Sequence, residues 1–277
     1  MAKVKQVLNI SEKSLEIKLN KALIGSNRRV FPSVALGNVL DIKRTELQKA
    51  EFDLALKTSF DFIITDSDTT PLFAIEFDGP VHQRGIKQQI DRTKNSICEK
   101  YGFPILRIDH DLLNAQIENV DLVEWLVELH FIYDEFCKKQ ERGEIPADEP
   151  FYFGLIIDFD PFIKYRANIQ RWAKEGLIKS GIPYNIITAP GDNYYYSLTA
   201  IEFMDDLWIY GEAKCRIFLF PAISPAELSE ELSIIAVANN IRKRLFGMDT
   251  EFLTTEDLLK RRKRLEAQVV RESGRKI

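Results

Sequence analysis

Cysteine and histidine are scarce in this chain of 277 residues, which contains three of each. The cysteines, Cys98, Cys137 and Cys215, lie far apart, are odd in number and show no C-x-x-C spacing. This usage argues against a disulfide framework and gives no indication of a zinc site. It is typical of a reducing compartment, so we predict an intracellular, cytoplasmic protein.

Long apolar stretches are also missing, because no run approaches the roughly 18–20 residues that a membrane span requires. The start of the chain has Lys3 and Lys5 followed by polar residues, and so lacks the apolar segment of a secretory signal. We therefore expect no membrane partner. Hydrophobic residues (45%) and charged residues (29%) occur at the levels of soluble globular proteins, which excludes extensive disorder and fibrous architectures.

Positive and negative residues nearly balance, but the net charge of −4 conceals a segregation along the chain. Residues 1–111 carry +2, residues 112–240 carry −11 and residues 241–277 carry +5. A basic front and a basic tail are each compatible with binding phosphates, whereas the acidic middle would repel them. The overall acidity therefore does not exclude nucleic acid as a partner.

The first half of the sequence predicts an α/β module. Its central feature is a hairpin, because two apolar strands flank the turn-forming residues 66–71. A helix ending at Gly102 and a buried strand follow, an order typical of a parallel right-handed crossover. Residues 37–58 give no clear assignment. The predicted order is α-β-β-β-α-β, with elements at 11–23, 30–36, 60–65, 72–78, 86–101 and 104–108 and a closing helix at 121–139.

The best linker candidate is 140–150, which combines Gly143, two prolines and several charges. We therefore predict two domains, residues 1–140 and 151–277. The second is expected to be an α+β domain with an α-β-β-β-α core at about 162–246 and a basic C-terminal helix. Its predicted elements are strand 152–158, helix 162–178, strands 183–189, 194–203 and 207–220, helix 225–245 and a polar helix at 255–268.

Acidic side chains on the hairpin indicate chemistry. If Asp66 lies opposite Pro71, then Asp61 falls directly across from Glu76, where Cβ atoms are about 4.5–5.5 Å apart. Asp78 shares that face because side chains alternate along a strand. Three acids in an apolar setting either have shifted pKa values or are offset by a cation. Oxygen ligands favour a hard ion, so we predict Mg²⁺ or Mn²⁺.

These acids belong to a wider pattern. Asp61 is followed by Ile75-Glu76-Phe77-Asp78-Gly79-Pro80-x-His82, by Asp91-x-x-Lys94-Asn95 and by the segment 102–108. Over about residues 8–112 the pattern resembles the PD-(D/E)XK nuclease superfamily, in the branch with an I-E-x-D-G-x-x-H signature that is related to very-short-patch-repair endonucleases and includes bacterial proteins. The resemblance implies a restriction-endonuclease-like fold and a Mg²⁺-dependent endonuclease.

The resemblance also implies a ligand set. Asp61 and Glu76 would bind the metal together with the backbone carbonyl of Phe77. An acid on the first helix would assist them, and Glu12 fits that place, with Glu16 as the alternative. The implied reaction is metal-assisted hydrolysis of a phosphodiester.

The catalytic lysine of the family is replaced here by Asp78. His82 or Lys94 would then supply the positive or proton-handling group, and Asp91 is an auxiliary candidate. The predicted catalytic residues are therefore Asp61, Glu76, Asp78, His82 and Lys94.

Several of these assignments have a plainer structural alternative. Glu12 could stabilise its helix dipole from the first turn. His82 could hydrogen-bond the preceding turn, and Asp91 and Lys94 could form an ordinary surface ion pair. The hairpin acids, by contrast, lie in a run too apolar to favour a solvent-facing surface.

The second half carries weaker signals. Its α-β-β-β-α order is similar to that of double-stranded-RNA-binding domains, but acids at 227–231 stand where that family places its binding lysines. We therefore expect this domain to contact a partner protein or a second copy of the chain. The basic run Lys260, Arg261, Arg262, Lys263 and Arg264 is either a nucleic-acid contact through counterion release or a solvated helical face.

Together these observations predict a metal-dependent phosphodiester hydrolase whose partner is nucleic acid, with DNA favoured over RNA by the resemblance alone. Two alternatives stay open. The module could be a catalytically inactive scaffold that binds nucleic acid or a partner protein in repair or defence. Alternatively, its activity could require a partner.

Overall fold

The computed structural model describes residues 8–42, 47–79, 86–156, 159–189 and 193–273. The chain has a mixed α/β structure and divides into two compact units. Unit 1 comprises residues 1–151 together with 218–222, and unit 2 comprises residues 152–217 together with 223–277. In the described ranges, none of the helices has both the length and the apolar character needed to cross a membrane.

Unit 1 consists of α1 (Ile10–Ala22), β1 (Arg29–Ala35), α2 (Leu36–Val39), α3 (Lys49–Ala55), β2 (Ser59–Thr65), β3 (Pro71–Asp78), α4 (Ile86–Lys100), β4 (Ile105–Asp109), α5 (His110–Leu113), β5 (Gln116–Ile117), β6 (Val120–Asp121) and α6 (Leu122–Glu141). Its main sheet has the strand order β1-β2-β3-β4. The first three strands are antiparallel neighbours, and β4 runs parallel to β3 after the crossover helix α4. The hairpin and the parallel crossover predicted from the sequence are therefore present.

Apolar side chains cover both faces of this sheet. On one face, Ile63 and Ala74 share a buried cluster with Ile97 of α4. On the other face, Phe73 lies against His130 of α6, with ring centroids 4.4 Å apart. Because successive side chains of a strand point to opposite faces, a strand buried on both sides carries a nearly continuous apolar run. This explains the composition of β2 and β3 and places any polar side chain at their ends in a largely dry setting.

A short segment of the later chain, residues 218–222, also belongs to unit 1. Leu219 forms an antiparallel bridge with Ile105 of β4 through two backbone hydrogen bonds of 2.8 and 3.0 Å. Phe220 stacks on His130 with a centroid distance of 5.0 Å. Burial lowers the pKa of His130 to about 4, so the ring is neutral at physiological pH. The segment therefore covers the outer edge of β4.

Residues 37–58 show no periodic pattern, and the structure places the short helices α2 and α3 there. At the start of helix α3 the backbone N–H of Gln48 donates to the Glu51 carboxylate at 2.9 Å, and Ala55 is buried in the same core cluster as Ile63. The two helices have four and seven residues. Such lengths are too short to establish a helical period in a sequence.

Unit 2 consists of a 3-10 turn (Phe153–Leu155), α7 (Ile163–Lys174), β7 (Tyr184–Thr188), β8 (Tyr194–Met204), β9 (Leu207–Arg216), α8 (Pro225–Leu245), β10 (Phe252–Thr254) and α9 (Thr255–Ser273). Its antiparallel sheet has the order β10-β9-β8-β7. The predicted α-β-β-β-α order is present from α7 to α8. The short strand β10 extends the sheet beyond β9.

One predicted strand and two predicted element ends in unit 2 are wrong. The strand predicted at 152–158 is replaced, over its described part, by the 3-10 turn. The helix predicted at 162–178 ends at Lys174, close to Gly176, whose φ of 73° favours glycine at a helix end. The strand predicted at 207–220 ends at Arg216, because the chain then contributes residues 218–222 to unit 1.

Helix α8 approaches the sheet of unit 2 very closely at Gly211 of β9. A Cβ atom at this position would lie 2.3 Å from the backbone nitrogen of Val237 and 2.6 Å from the carbonyl oxygen of Ser233. Backbone atoms cannot rotate away from such a contact as a flexible side chain can. Glycine is therefore required for the packing of α8 on β9, which buries Ile209 and Ile241 together with Val237.

The substitution Gly211→Ala is expected to lower the free energy of unfolding by about 3 kcal/mol, because the helix must move away from the sheet. Chemical denaturation followed by circular dichroism measures the loss. Gly37→Ala is the matched control, since the atom nearest its added Cβ is the flexible end of Ile42 at 3.3 Å. Equal stabilities of the two variants would contradict the close approach.

Candidate active site

Asp61 and Glu76 lie on the neighbouring strands β2 and β3. The ladder between these strands ends with the pair Phe62 and Ile75, and Asp61 and Glu76 are the next residues beyond that pair. The two carboxylates are close enough for Asp61 to raise the pKa of Glu76. The apolar pattern of the hairpin predicted this juxtaposition. It depends on the register of the strands, because a slip by one residue would send every side chain to the other face.

The predicted closure of the hairpin, by contrast, is wrong by one residue. Thr65 rather than Asp66 pairs with Pro71, and the register shifts between Ile64 and Thr65. A β-bulge at this point absorbs the extra residue, so the pairing beyond it keeps the predicted register. Asp66 instead accepts the backbone N–H of Thr70 within the turn, at 2.8 Å.

The Asp61 carboxylate is anchored to the neighbouring strand. Its Oδ2 accepts the backbone N–H of Phe77 at 2.8 Å. Burial raises the pKa of Asp61, against the lowering effects of the Phe77 hydrogen bond and the Lys94 charge, and the nearby Glu12 and Asp78 raise it further. The carboxylate therefore has a fixed orientation in surroundings that disfavour its charge.

Glu76 is more deeply buried, with 6% of its surface exposed. Lys94 of α4 donates from Nζ to Glu76 Oε1 at 2.7 Å and to the carbonyl oxygen of Ser59 at 2.9 Å. Burial raises the pKa of Glu76 to about 7, with Asp61 raising it further and Lys94 acting in the opposite direction. An ion pair removed from water in this way is costly unless its geometry is good.

Lys94 and Asp91 do not form the ordinary surface ion pair that their spacing on α4 suggests, so that alternative is wrong. Both side chains are buried. The Asp91 carboxylate lies 3.3 Å from Nη1 of Arg107, whereas Lys94 binds Glu76. The two residues therefore point their charges at different partners in the sheet.

Arg107 of β4 joins this cluster, although its strand motif predicted no role for it. Its side chain is 1% exposed. Nη1 lies 3.1 and 3.2 Å from the two carboxylate oxygens of Asp78, and Nε donates to Asn95 Oδ1 at 3.0 Å. Asp78 is thus bound by a cation from the next strand. A charged residue between Leu106 and Ile108 in a buried strand was the available signal, because a buried charge requires partners.

Glu12 lies in the first turn of α1 and has a capping role. Its Oε2 accepts the backbone N–H of Asn9 at 2.8 Å, and Asn9 Oδ1 accepts the backbone N–H of Glu12 at 3.0 Å. This capping box satisfies donors at the start of the helix. Glu12 is also close enough to raise the pKa of Asp61. It therefore combines the structural role with the proximity expected of an auxiliary acid.

His82 lies outside the described residues. In the part of the chain that the structure describes, no group of three or more histidine, cysteine, aspartate or glutamate side chains is arranged to hold a metal ion. The candidate ligand set is therefore two carboxylates, Asp61 and Glu76, with the backbone carbonyl of Phe77 as the third donor that the resemblance implies.

The basic run 260–264 of α9 is engaged within unit 2 itself. Arg261 pairs with Glu212 at 2.8 Å and lies over the ring of Tyr210, 4.7 Å from its centroid. Arg262 donates to the hydroxyl of Tyr184 at 2.9 Å. Both arginines therefore help to attach α9 to the sheet, and nucleic-acid binding by this run stays a prediction.

Comparison with known proteins places this site within a matched region. A family model described as "Protein of unknown function (DUF2726)" matches residues 4–121. This range runs from α1 to β6 and includes Asp61, Glu76, Lys94 and Arg107. No curated protein and no solved structure matches the chain.

The stability of the metal-free protein should depend on Glu76 in a defined direction with pH. Since the pKa of this carboxyl group rises from 4.5 to about 7 on burial, the folded state binds its proton more tightly than the unfolded state does. Stability therefore falls as pH rises through this window. Relative to Glu76→Gln, the wild type is expected to lose up to about 3 kcal/mol between these two pH values.

Urea denaturation in EDTA at a series of pH values measures this difference. Glu99→Gln is the matched control, because the acid that it changes in α4 is exposed. Its difference in stability from the wild type should not change across the pH window. A constant stability difference between wild type and Glu76→Gln across the window would show that the Glu76 charge is not penalised by burial.

Proposed function

We propose that unit 1 is a metal-dependent nuclease, a phosphodiester hydrolase that acts on nucleic acid with DNA as the favoured substrate. The observation that carries the proposal is the meeting of two carboxylates and one ammonium. Asp61, Glu76 and Lys94 come from β2, β3 and α4, and Lys94 Nζ lies 2.7 Å from Glu76 Oε1. The order α1-β1-β2-β3-α4-β4, with α2 and α3 inserted, also supports it, since the resemblance implies that core.

The donors present fit a hard divalent cation. Asp61 and Glu76 offer carboxylate oxygens, and Phe77 offers its backbone carbonyl. Burial raises the pKa of both carboxyl groups, so the chain alone compensates their negative charges poorly. Oxygen-only ligands of this kind favour Mg²⁺ or Mn²⁺ over softer metals.

When bound, the ion would supply Lewis-acid chemistry, lowering the pKa of a water and stabilising charge on the phosphate. The chain contributes orientation and a positive charge. Asp61 keeps its orientation through the N–H of Phe77. Lys94 has three ammonium donors, of which the described residues Glu76 and Ser59 use two. The third donor can therefore bind a phosphate oxygen and stabilise the charge that develops there.

This assignment gives Lys94 the role of the lysine that the resemblance expects at position 78. Asp78 is already bound to Arg107 at 3.1 Å and so is unsuited to that role. A positive group from α4 contacts Glu76 in its place, which favours Lys94 over His82 as the source of positive charge. His82 stays a candidate for proton transfer near neutral pH.

One observation favours a second function, that of a catalytically inactive scaffold that binds nucleic acid or a partner protein. The Lys94 ammonium already compensates one oxygen of Glu76, as a purely structural ion pair would. The two functions differ in a measurable property, because only the nuclease needs a cation site at Asp61 and Glu76.

Mn²⁺ binding separates these two functions. Calorimetry of the full chain is expected to show a Mn²⁺ site that is lost in Asp61→Asn and in Glu76→Gln, since each change removes the charge of one ligand. Asp68→Asn, in the exposed β2–β3 turn, is the matched control and should bind like the wild type. A wild-type chain without a Mn²⁺ site would overturn the nuclease proposal and leave the scaffold.

Cleavage of plasmid DNA, single-stranded DNA and RNA in Mg²⁺ tests the role of Lys94. Lys94→Met is expected to lower kcat by about 10²–10⁴-fold, because a positioned group that handles charge or protons in the transition state is lost. Lys100→Met removes an exposed lysine of the same helix, bound to Glu51, and should retain the wild-type rate. An unchanged rate in Lys94→Met would contradict the assignment, and repeating the assay with cell lysate reveals any requirement for a partner.

A further inference from the structure

We propose that Arg107 is a positioning residue that binds one face of α4 and thereby sets the Lys94 ammonium on Glu76. The inference deepens the proposed nuclease function and rests on it for the catalytic role of Lys94. The positioning itself concerns only the fold of unit 1, so it can be tested separately.

The guanidinium of Arg107 connects three elements at once. Toward β3, its Nη1 binds both oxygens of Asp78, at 3.1 and 3.2 Å. Toward α4, Nη1 lies 3.3 Å from Asp91 Oδ1, Nη2 donates to the Asp91 carbonyl oxygen at 3.4 Å, and Nε donates to Asn95 Oδ1 at 3.0 Å. A single side chain of β4 therefore holds both a neighbouring strand and a helix.

The contacted helix positions surround Lys94. Residues three and four apart on a helix share a face, so Asp91, Lys94 and Asn95 all face the sheet. Arg107 binds Asp91 one turn before Lys94 and binds Asn95 directly after it. Rotation or sliding of α4 would break these contacts and would move the Lys94 side chain away from Glu76. The network thus fixes the position of α4, and with it the backbone position from which the Lys94 side chain reaches the Glu76 carboxylate.

Only arginine has the donor geometry that this arrangement uses. Its planar guanidinium presents five N–H donors in a rigid fork, whereas a lysine offers three donors at a single point. In Arg107→Lys the positive charge can remain near Asp78, but one ammonium cannot reach Asp78, Asp91 and Asn95 together. The substitution therefore preserves charge while it removes the connection to α4.

Steady-state cleavage kinetics in Mg²⁺ provide the first test. Arg107→Lys is expected to lower kcat by about 10–100-fold, the usual effect of losing a residue that orients a catalytic group, with KM changed by less than about threefold. Asn95→Ala, which removes one helix contact but leaves both ion pairs, should lower kcat in the same direction by a smaller factor. Full activity in Arg107→Lys would overturn the proposal.

Phe220→Leu is the control for a general loss of stability in unit 1. It weakens the aromatic packing on the opposite face of the sheet, where Phe220 contacts Phe73 and His130, and leaves the side chains of Arg107, Lys94 and Glu76 unchanged. It should lower the melting temperature without lowering kcat. If Phe220→Leu and Arg107→Lys reduce kcat in proportion to their loss of stability, Arg107 is merely structural and the positioning role is wrong.

A second readout does not depend on activity. An ammonium held by two acceptors and shielded from water exchanges its protons slowly, so the wild type should give a Lys94 NH₃⁺ signal in ¹⁵N NMR that is absent from Lys94→Met. In folded Arg107→Lys this signal should be lost, and its persistence unchanged would overturn the proposal. If the wild type cleaves no substrate but the Lys94 signal disappears in Arg107→Lys, the nuclease proposal is refuted and the positioning role is retained.

Discussion

The burial of Arg107 between Asp78 and Asp91 is the constraint on which the rest of unit 1 depends. Removing a guanidinium and its carboxylates from water costs several kcal/mol unless nearly all the donors and acceptors are used. The contacts run from β4 to both β3 and α4, so none of these elements can shift without leaving a charge unpaired. Hydrophobic packing is tolerant of small shifts. The ion cluster therefore supplies the geometric precision that the apolar core alone does not.

The charges of Asp61 and Glu76 are compensated less well than those of the Arg107 cluster. Their carboxylates lie close together in a setting that raises the pKa of both, although the Lys94 ammonium opposes this increase for both and Arg107 opposes it for Glu76. The fold thus accepts a local loss of stability next to a cluster whose charges are well paired. Strongly perturbed ionisable groups of this kind are concentrated at functional sites, although structural ion pairs also produce them.

The sequence predicted the parts of this arrangement that follow from local rules. Alternating apolar residues and a polar turn were enough to predict the register that brings Asp61 near Glu76, and Gly102 was enough to end α4. The bulge at Thr65 was not predictable, because turn residues do not specify where an extra residue is absorbed.

The role of Arg107 was missed for a different reason. Its partners Asp78, Asp91 and Asn95 become neighbours only once β4 lies beside β3 and α4 crosses them. The helices α2 and α3 were missed because such short elements show no periodic pattern in the sequence. The end of β9 was missed because no periodic pattern marks the residue at which a chain leaves a sheet. Tertiary contacts, rather than propensities, decide such features.

The return of residues 218–222 to unit 1 has a consequence for dissecting the chain. A truncation after residue 151 would preserve the whole matched region and the candidate site, yet it would remove Leu219 and Phe220. The backbone of Ile105 would then lie along an unpaired sheet edge, and the aromatic ring of Phe73 would lose its contact with Phe220. Exposed edges of this type invite intermolecular strand pairing. Insolubility of such a fragment would therefore reflect the missing segment and would carry no information about the chemistry of the site.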